Sequence, residues 1–306
     1  IFQLNTCEFQ DFFSPDYMEL QMIKITVDAQ VYEALQKAFP KPANSAHRAL
    51  AKYISVLETM LFKSLHFAAT PLQRKFDLFA ISLQQLANQG GQIGPNKLRV
   101  HAWLRNNNFN LVESVITGSN LTGSVSQCKL TKLVTMVDTL AVEDKILRSG
   151  KSDSEIDQHL CGDDFGNYQV LNLLFPEFKQ RIKSPEIEEL FDLVPVDKES
   201  VKSYIIWLTT ESEKISQEKK DQALRQARII LAISSVMDGY YVQRKKPSLF
   251  GRMYYEGTSV QNINKELRRA VLGNCFEYDI RSSVVAWKMG WAKQYIDARE
   301  QGEDLR

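Results

Sequence analysis

The sequence predicts an α+β protein in two parts, a mostly α N-terminal domain over residues 1–237 and an α/β domain over residues 238–306. Three observations carry this. Apolar residues recur at helical spacing from Met18 to Ser235, the pattern breaks at the turn signal Asp238-Gly239, and short extended runs alternate with helices after it. Composition removes the competing classes. With 44% hydrophobic and 25% charged residues the chain can bury a real core, so it is not disordered. Four cysteines in 306 residues are too few for a disulfide scaffold, and 14 Gly with 9 Pro exclude collagen-like or low-complexity sequence. No apolar run approaches the ~18 to 20 uncharged residues of a membrane span. The net charge of +1 leaves nucleic acid open as a partner, because a basic face can sit inside a neutral total.

The elements follow in order. From Ser45 to Leu65, residues Leu50, Tyr53, Ile54, Leu57 and Leu61 form one stripe opposite Lys52, Glu58 and Lys63, which is an amphipathic helix. A second helix is expected from Pro71 through Phe76, Phe79, Ile81 and Leu86, stopped by Gly90-Gly91. A third opens at Gly94-Pro95 and breaks at Asn106 to Asn108. Leu111 to Ser126 mixes Ser, Thr and Gly with Val and Ile and fits no single type. Leu130 to Leu147 and Lys198 to Val236 return to helical spacing, the latter as two helices around the charged patch Glu211 to Asp221. Beyond Gly239 come a short strand at Tyr240 to Val242, a basic loop from Arg244 to Pro247 and an extended piece from Arg252 to Tyr255. Asn262 to Val271 is helical, Phe276 to Ile280 a strand, and Ser282 onward a helix through Trp287 and Trp291.

The chain starts with Ile1, and Ile1 to Phe13 lacks the basic and apolar regions of a signal peptide, so a fragment or processed product is expected. Cys7, Cys128, Cys161 and Cys275 are scattered without ligand spacing and read as reduced thiols of a cytoplasmic protein.

The stretch Ser248 to Trp287 carries the chemistry. Arg252 follows a glycine that permits close backbone approach, and Gln261 and Asn262 bring amides that donate and accept. Lys265, Arg268 and Arg269 stand at i, i+3 and i+4 and make a cationic helix face. Asp279 ends an apolar strand, where a carboxylate projects from a rigid element and suits a hard cation such as Mg2+. Basic groups suit phosphates, so together these residues describe phosphoryl-transfer equipment.

In this order the residues resemble the entry to the palm of family A DNA polymerases and of their relatives, the single-subunit RNA polymerases of phages and mitochondria. Ser248-Leu249-Phe250-Gly251-Arg252 is similar to their Gly-Arg element, and Val260-Gln261-Asn262-Ile263 to a Leu-Gln-Asn-Ile segment. Arg268-Arg269-Ala270-Val271 is similar to the run before motif A, and Tyr278-Asp279-Ile280 to motif A itself. The resemblance spans about forty residues. It implies that residues 238–306 begin a polymerase palm and that Asp279 and the carbonyl of Ile280 are Mg2+ ligands. It implies further that Arg252 holds a template or primer strand while Gln261 and Asn262 read the minor groove. The partners implied are a DNA template and nucleoside triphosphates, and no membrane. Localisation is cytoplasmic, in the host cytoplasm if the protein is phage-encoded. The sequence departs from the pattern in a short Gly251 to Asp279 separation and in having no His-Asp pair. The second metal carboxylate is therefore expected from a missing C-terminal region or a companion subunit. Val284 stands where DNA polymerases of the family usually carry Glu, and Gly251-Arg252-Met253-Tyr254 is similar to the RNA polymerases, so RNA synthesis is favoured over DNA synthesis.

Blander readings stand beside each of these. Asp279 can cap the helix that begins near Ser282, Arg252 can pair with Glu256 or Glu277, and Lys265, Arg268 and Arg269 can be a solvated face. The rivals in function are a non-catalytic nucleic-acid-binding accessory protein of replication or transcription and a structural helical adaptor. Lys97, His101 and Arg105, with Trp103 nearby, form either a nucleic-acid-facing row or a solvated face with Trp103 in the core.

Overall fold

The computed structural model describes residues 23–40, 43–67, 71–94, 96–119, 124–138, 152, 154, 156, 160–162, 164–179, 189–212, 215–246, 248, 253–273, 275 and 283–300. The protein is mixed α and β, with small antiparallel sheets. The chain divides into a compact unit ending at Gly273 and a second from Asn274 to Arg306.

In the first unit, β1 (Ile23–Val27) leads into α1 (Ala29–Ala38), whose first turn is closed by Asp28 accepting from the Gln30 amide. The long helix α2 (Ala43–Phe67) follows, with Leu50, Tyr53, Leu57 and Leu61 fully buried, as the stripe predicts. Burying each such side chain contributes roughly 1.5–3 kcal/mol, so this face anchors the surrounding elements. Short pieces cover it: α3 (Pro71–Lys75), β2 (Phe79–Ala80), α4 (Leu83–Gln89), β3 (Gln92–Ile93), β4 (Leu98–Arg99) and α5 (Val100–Asn106). Then come β5 (Val112–Ile116), β6 (Gln127–Leu130) and β7 (Val134–Asp138). Strands β2, β6 and β5 form one sheet in that order, and β7 pairs antiparallel with β1, Val27 opposite Val134.

Several expected elements differ here. The single helix from Pro71 to Leu86 is α3, β2 and α4, because Asp77 takes a positive φ and Leu78 turns back onto Gln73. The third helix starts only at Val100, after the β3–β4 turn in which Gly94 and Lys97 both have positive φ. Leu130 ends β6, a turn follows at 131–133, and Val134–Asp138 is strand rather than helix, while residues 139–147 lie outside the described residues. Val134 buried, Thr135 exposed, Met136 half-buried and Val137 exposed is a period of two, fixed by pairing with β1.

A second core lies from Leu160 onward. Helix α6 (Asp164–Leu174) and the short α7 (Pro176–Lys179) precede β8 (Phe191–Pro195), α8 (Lys198–Thr210) and α9 (Gln217–Val236). Helices α8 and α9 flank residues 211–216, so two helices form as expected, but Glu218 to Asp221 of the charged patch belong to the start of α9. Then come β9 (Tyr240–Lys246), β10 (Tyr254–Tyr255) and α10 (Lys265–Leu272). Their sheet runs β10-β9-β8, all antiparallel. The basic run Arg244 to Lys246 is therefore strand, not loop. Ile230, Ile233, Tyr241, Val242, Leu267 and Val271 share one core with Val201 and Ile205. The expected boundary at 237/238 thus crosses a continuous core, and the compact units divide at 273/274 instead. Asp238 and Gly239, both at positive φ, turn α9 directly into β9 and do not form a linker.

Phe62 of α2 belongs to this second core while Leu61 belongs to the first, so α2 serves both. In the second unit α11 (Ser283–Glu300) is helical as expected, with Trp287, Met289, Trp291 and Tyr295 exposed within it.

Candidate nucleic-acid interface

The motif-bearing segment from Met253 to Ile263 pairs with β9 through the backbone only at its start, at Tyr254, Tyr255 and the Glu256 amide, and beyond that is fastened to β9 by side chains. Tyr241 and Gln243 are two residues apart and project from the same face of β9. The Tyr241 hydroxyl donates to the Thr258 carbonyl at 2.7 Å, and the Val260 amide donates to Gln243 Oε1 at 2.7 Å. Both side chains are buried, and burial pushes the Tyr241 phenol well above its ordinary ionisation range, so it serves as a permanent donor. The segment also holds itself together. Asn262 Nδ2 donates to the carbonyls of Tyr255 (3.2 Å) and Gly257 (3.1 Å), and Gln261 Nε2 donates to Met253 at 3.3 Å.

Helix α10 closes the arrangement from below. Asn264 caps it, accepting from the Leu267 amide at 2.7 Å, and Nδ2 of the same side chain reaches the Tyr204 hydroxyl on α8. Arg268 turns back onto the segment: Nε donates to the Val260 carbonyl at 2.7 Å, and Nη2 to Gln261 (3.1 Å) and Ile263 (3.2 Å). Lys265 and Arg269 stay exposed on the outer side of the helix. The exposed cationic face of α10 is therefore Lys265 with Arg269, while Arg268 is committed to carbonyls. At the far end, Gly273 takes φ +58° against Asp197, whose own amide donates to the Val271 carbonyl. Asp197 caps α8, and hydrogen bonds from the Ser200 amide and hydroxyl hold its carboxyl below the usual range.

Between segment, sheet and α10 lies an open cavity of about 420 Å³, lined by Val194, Gln243, Tyr255, Val260, Gln261, Arg268 and Leu272. Tyr255 donates to Asp192 Oδ2 at 2.6 Å, and Lys245 Nζ lies 2.9 Å from the other carboxylate oxygen. Burial pushes the Asp192 carboxyl up, but the Tyr255 hydroxyl and the Lys245 ammonium outweigh it and hold it below the carboxylate range. The opposite face of β9 carries Arg244, whose Nη2 donates to Glu177 Oε2 at 2.7 Å. Its guanidinium also stands 5.8 Å and 5.5 Å from the ring centres of Phe175 and Phe191. The sequence points to Arg244 as part of a basic loop and carries no signal for Asp192 or Gln243, because Tyr240 to Lys246 reads YYVQRKK and lacks the alternation of a half-buried strand.

The structure thus brings Gln261, Asn262 and Arg268 together and sets Lys265 and Arg269 on the adjoining helix face. Both N–H groups of Asn262 Nδ2 are occupied, so this side chain offers an incoming strand its Oδ1 acceptor. Arg252, Asp279 and Ile280 lie outside the described residues. Among the described residues, no group of three or more His, Cys, Asp or Glu converges on a point that would hold a metal ion. In the first core, Trp103 is buried and His101 Nδ1 lies 3.0 Å from the Tyr53 hydroxyl, a reach that follows from Tyr53 facing the same core. Lys97, at φ 49°, belongs to the turn before α5, so Lys97, His101 and Arg105 do not form one helical row. No family model, curated protein or solved structure matches this chain. Among the described residues no helix is long and apolar enough to cross a membrane.

Proposed function

We propose that this chain forms part of a DNA-templated nucleotidyltransferase, with RNA rather than DNA as the product. The observation that supports this most is the fastened segment itself. Gln261 and Asn262 sit on a support built by Tyr241, Gln243 and Arg268, next to the exposed Lys265 and Arg269, and precede the Asp279 stretch in the sequence. Such a support suits the backbone of a nucleic-acid strand, since phosphate contacts position and need fixed donors. On this reading Arg252, Lys265 and Arg269 contact the strand and Gln261 faces the groove. Arg268 and Asn262 act as positioning residues that keep the segment in place. Asp279, with the Ile280 carbonyl, would hold Mg2+ together with a carboxylate from further sequence or a companion chain. Mg2+ so held neutralises charge on the transferred phosphates. The partners on this reading are a DNA template and nucleoside triphosphates.

The test is incorporation of labelled NTP or dNTP on a primed or promoter-bearing template with Mg2+, using this chain with its adjoining sequence or companion. Incorporation abolished by Asp279→Ala is the expected result, and incorporation indifferent to it would overturn the reading. A second reading, a non-catalytic accessory factor, is favoured by the exposed Lys265 and Arg269 pair, which can hold phosphates without a metal. It predicts salt-dependent DNA binding, weakened by Lys265→Ala and Arg269→Ala, without incorporation under any pairing.

A further inference from the structure

His66 ends α2 beneath the same segment, and nothing in the functional reading uses it. The ring is 5% exposed, and neither Nδ1 nor Nε2 has a hydrogen-bond partner. It packs edge-on against Phe67, with ring centres 4.7 Å apart, and Gly257 lies against both rings. A Cβ at Gly257 would lie 2.6 Å from His66 Nε2 and 2.8 Å from Phe67 Cε1, and Gly257 has φ +65°, so only glycine fits here. Next to it the Thr258 hydroxyl is also buried and unpartnered. Two buried polar side chains without partners at one junction are costly and lower the energy needed to separate the surfaces.

We propose that His66 is a proton-operated latch: on acidification the ring takes up a proton that its burial cannot accommodate, and the segment from Tyr255 to Asn262 lifts off the end of α2. The geometry supplies the moving part. Asn262 ties the Tyr255 and Gly257 carbonyls together, so the segment leaves as one body, and its tethers are the Tyr241 and Gln243 bonds, the Arg268 bonds to the Val260 and Gln261 carbonyls, and the contacts of Tyr255 and Glu256 with β9 and Asp192. Among the described residues, the charged groups on the elements that meet here include Lys63 one turn back on α2, Glu256 in the segment, Arg244 and Lys245 on β9, Asp192 on β8 and Glu177 on α7. Arg244 is paired with Glu177 and lies 3.9 Å from Glu256, and burial followed by the charge of Arg244 lowers the Lys63 ammonium. None of them offsets the cost of charging His66, whose titration burial alone depresses to about 3. The sign follows. A histidine lowered in the closed state and ordinary in the open state destabilises closure as pH falls through its open-state value.

With an open-state value of about 6.5 and a closed-state value of about 3, the opening equilibrium should rise about 90-fold between pH 7.5 and 4.5. The experiment is amide hydrogen exchange of residues 254–263 in the full chain, corrected for the intrinsic pH dependence of exchange. Wild type should lose about 90-fold in protection over that range, while His66→Phe, which keeps an edge-on ring and cannot be charged, should stay flat. An equal loss in His66→Phe would assign the effect to Glu177, Glu256 or Asp192 and overturn the latch, as would constant protection in wild type. Gly257→Ala, whose Cβ displaces the ring, is the second variant. It should show low protection already at pH 7.5, and full wild-type protection there would also overturn the proposal.

Discussion

The two faces of α2 differ in how far their buried polar groups are paired. Toward the first core, Glu58 accepts from the Ile25 amide at 2.9 Å, Tyr53 meets His101, and the Ser64 hydroxyl accepts from the Ala80 amide at 2.7 Å, so that His47 Nε2, against Tyr32, stands unpaired among paired neighbours. Toward the segment that carries Gln261 and Asn262, His66 and Thr258 are left without partners. Both are junctions of a helix with short irregular pieces, so the contrast is not one of architecture. A satisfied junction fixes its elements, while an unsatisfied one leaves a low-cost line of separation. The chain thus keeps a firm core on one side of α2 and places the candidate interface on the side that can open.

The contrast can be broken from the firm side first. Leu57→Ala should cost about 3 kcal/mol of global stability, read from the denaturant midpoint, because Leu57 is fully buried in the first core. Arg244→Met should cost about 2 kcal/mol, since it strands the Glu177 carboxylate and leaves the Leu174 carbonyl one donor fewer. Asn262→Ala should cost about 1 kcal/mol and show it only in the exchange of residues 254–263, because both of its bonds lie within the segment. The smallest effect is at Asp192. Its carboxyl is lowered on folding, so its share of stability is present above the ordinary carboxylate value and is lost as pH falls through the depressed one. Asp192→Asn should flatten the most acidic part of the unfolding curve, and an unchanged curve would remove this carboxylate from the account.

Much of this organisation is legible in the sequence where a long period repeats. The stripe Leu50 to Leu61 and the pair of helices around residues 211–216 are long enough to specify themselves. Strands β2 and β7 are not. Val134 and Val137 satisfy a helical spacing as well as Val134 and Met136 satisfy a strand spacing, and only the partner strand β1 decides between them. At the candidate site the residue types were visible but their partners were not. Nothing in the sequence distinguishes Arg268, which binds three carbonyls, from Arg269 beside it, because the carbonyls belong to a segment whose path is set by Tyr241 and Gln243. His66 lies just past the amphipathic stretch Ser45 to Leu65 and nothing near it in sequence marks it, because its isolation follows from Gly257 packing over it.

The most direct test of this division is native-state hydrogen exchange at neutral pH over a series of low denaturant concentrations, comparing the Val260 amide, held by Gln243, with the Leu61 amide in α2. Val260 should exchange through a small opening with little denaturant dependence and a lower free energy than Leu61, which should follow global unfolding. If Val260 and Leu61 exchange with the same free energy and the same denaturant dependence, the segment is part of the firm core and the division is wrong.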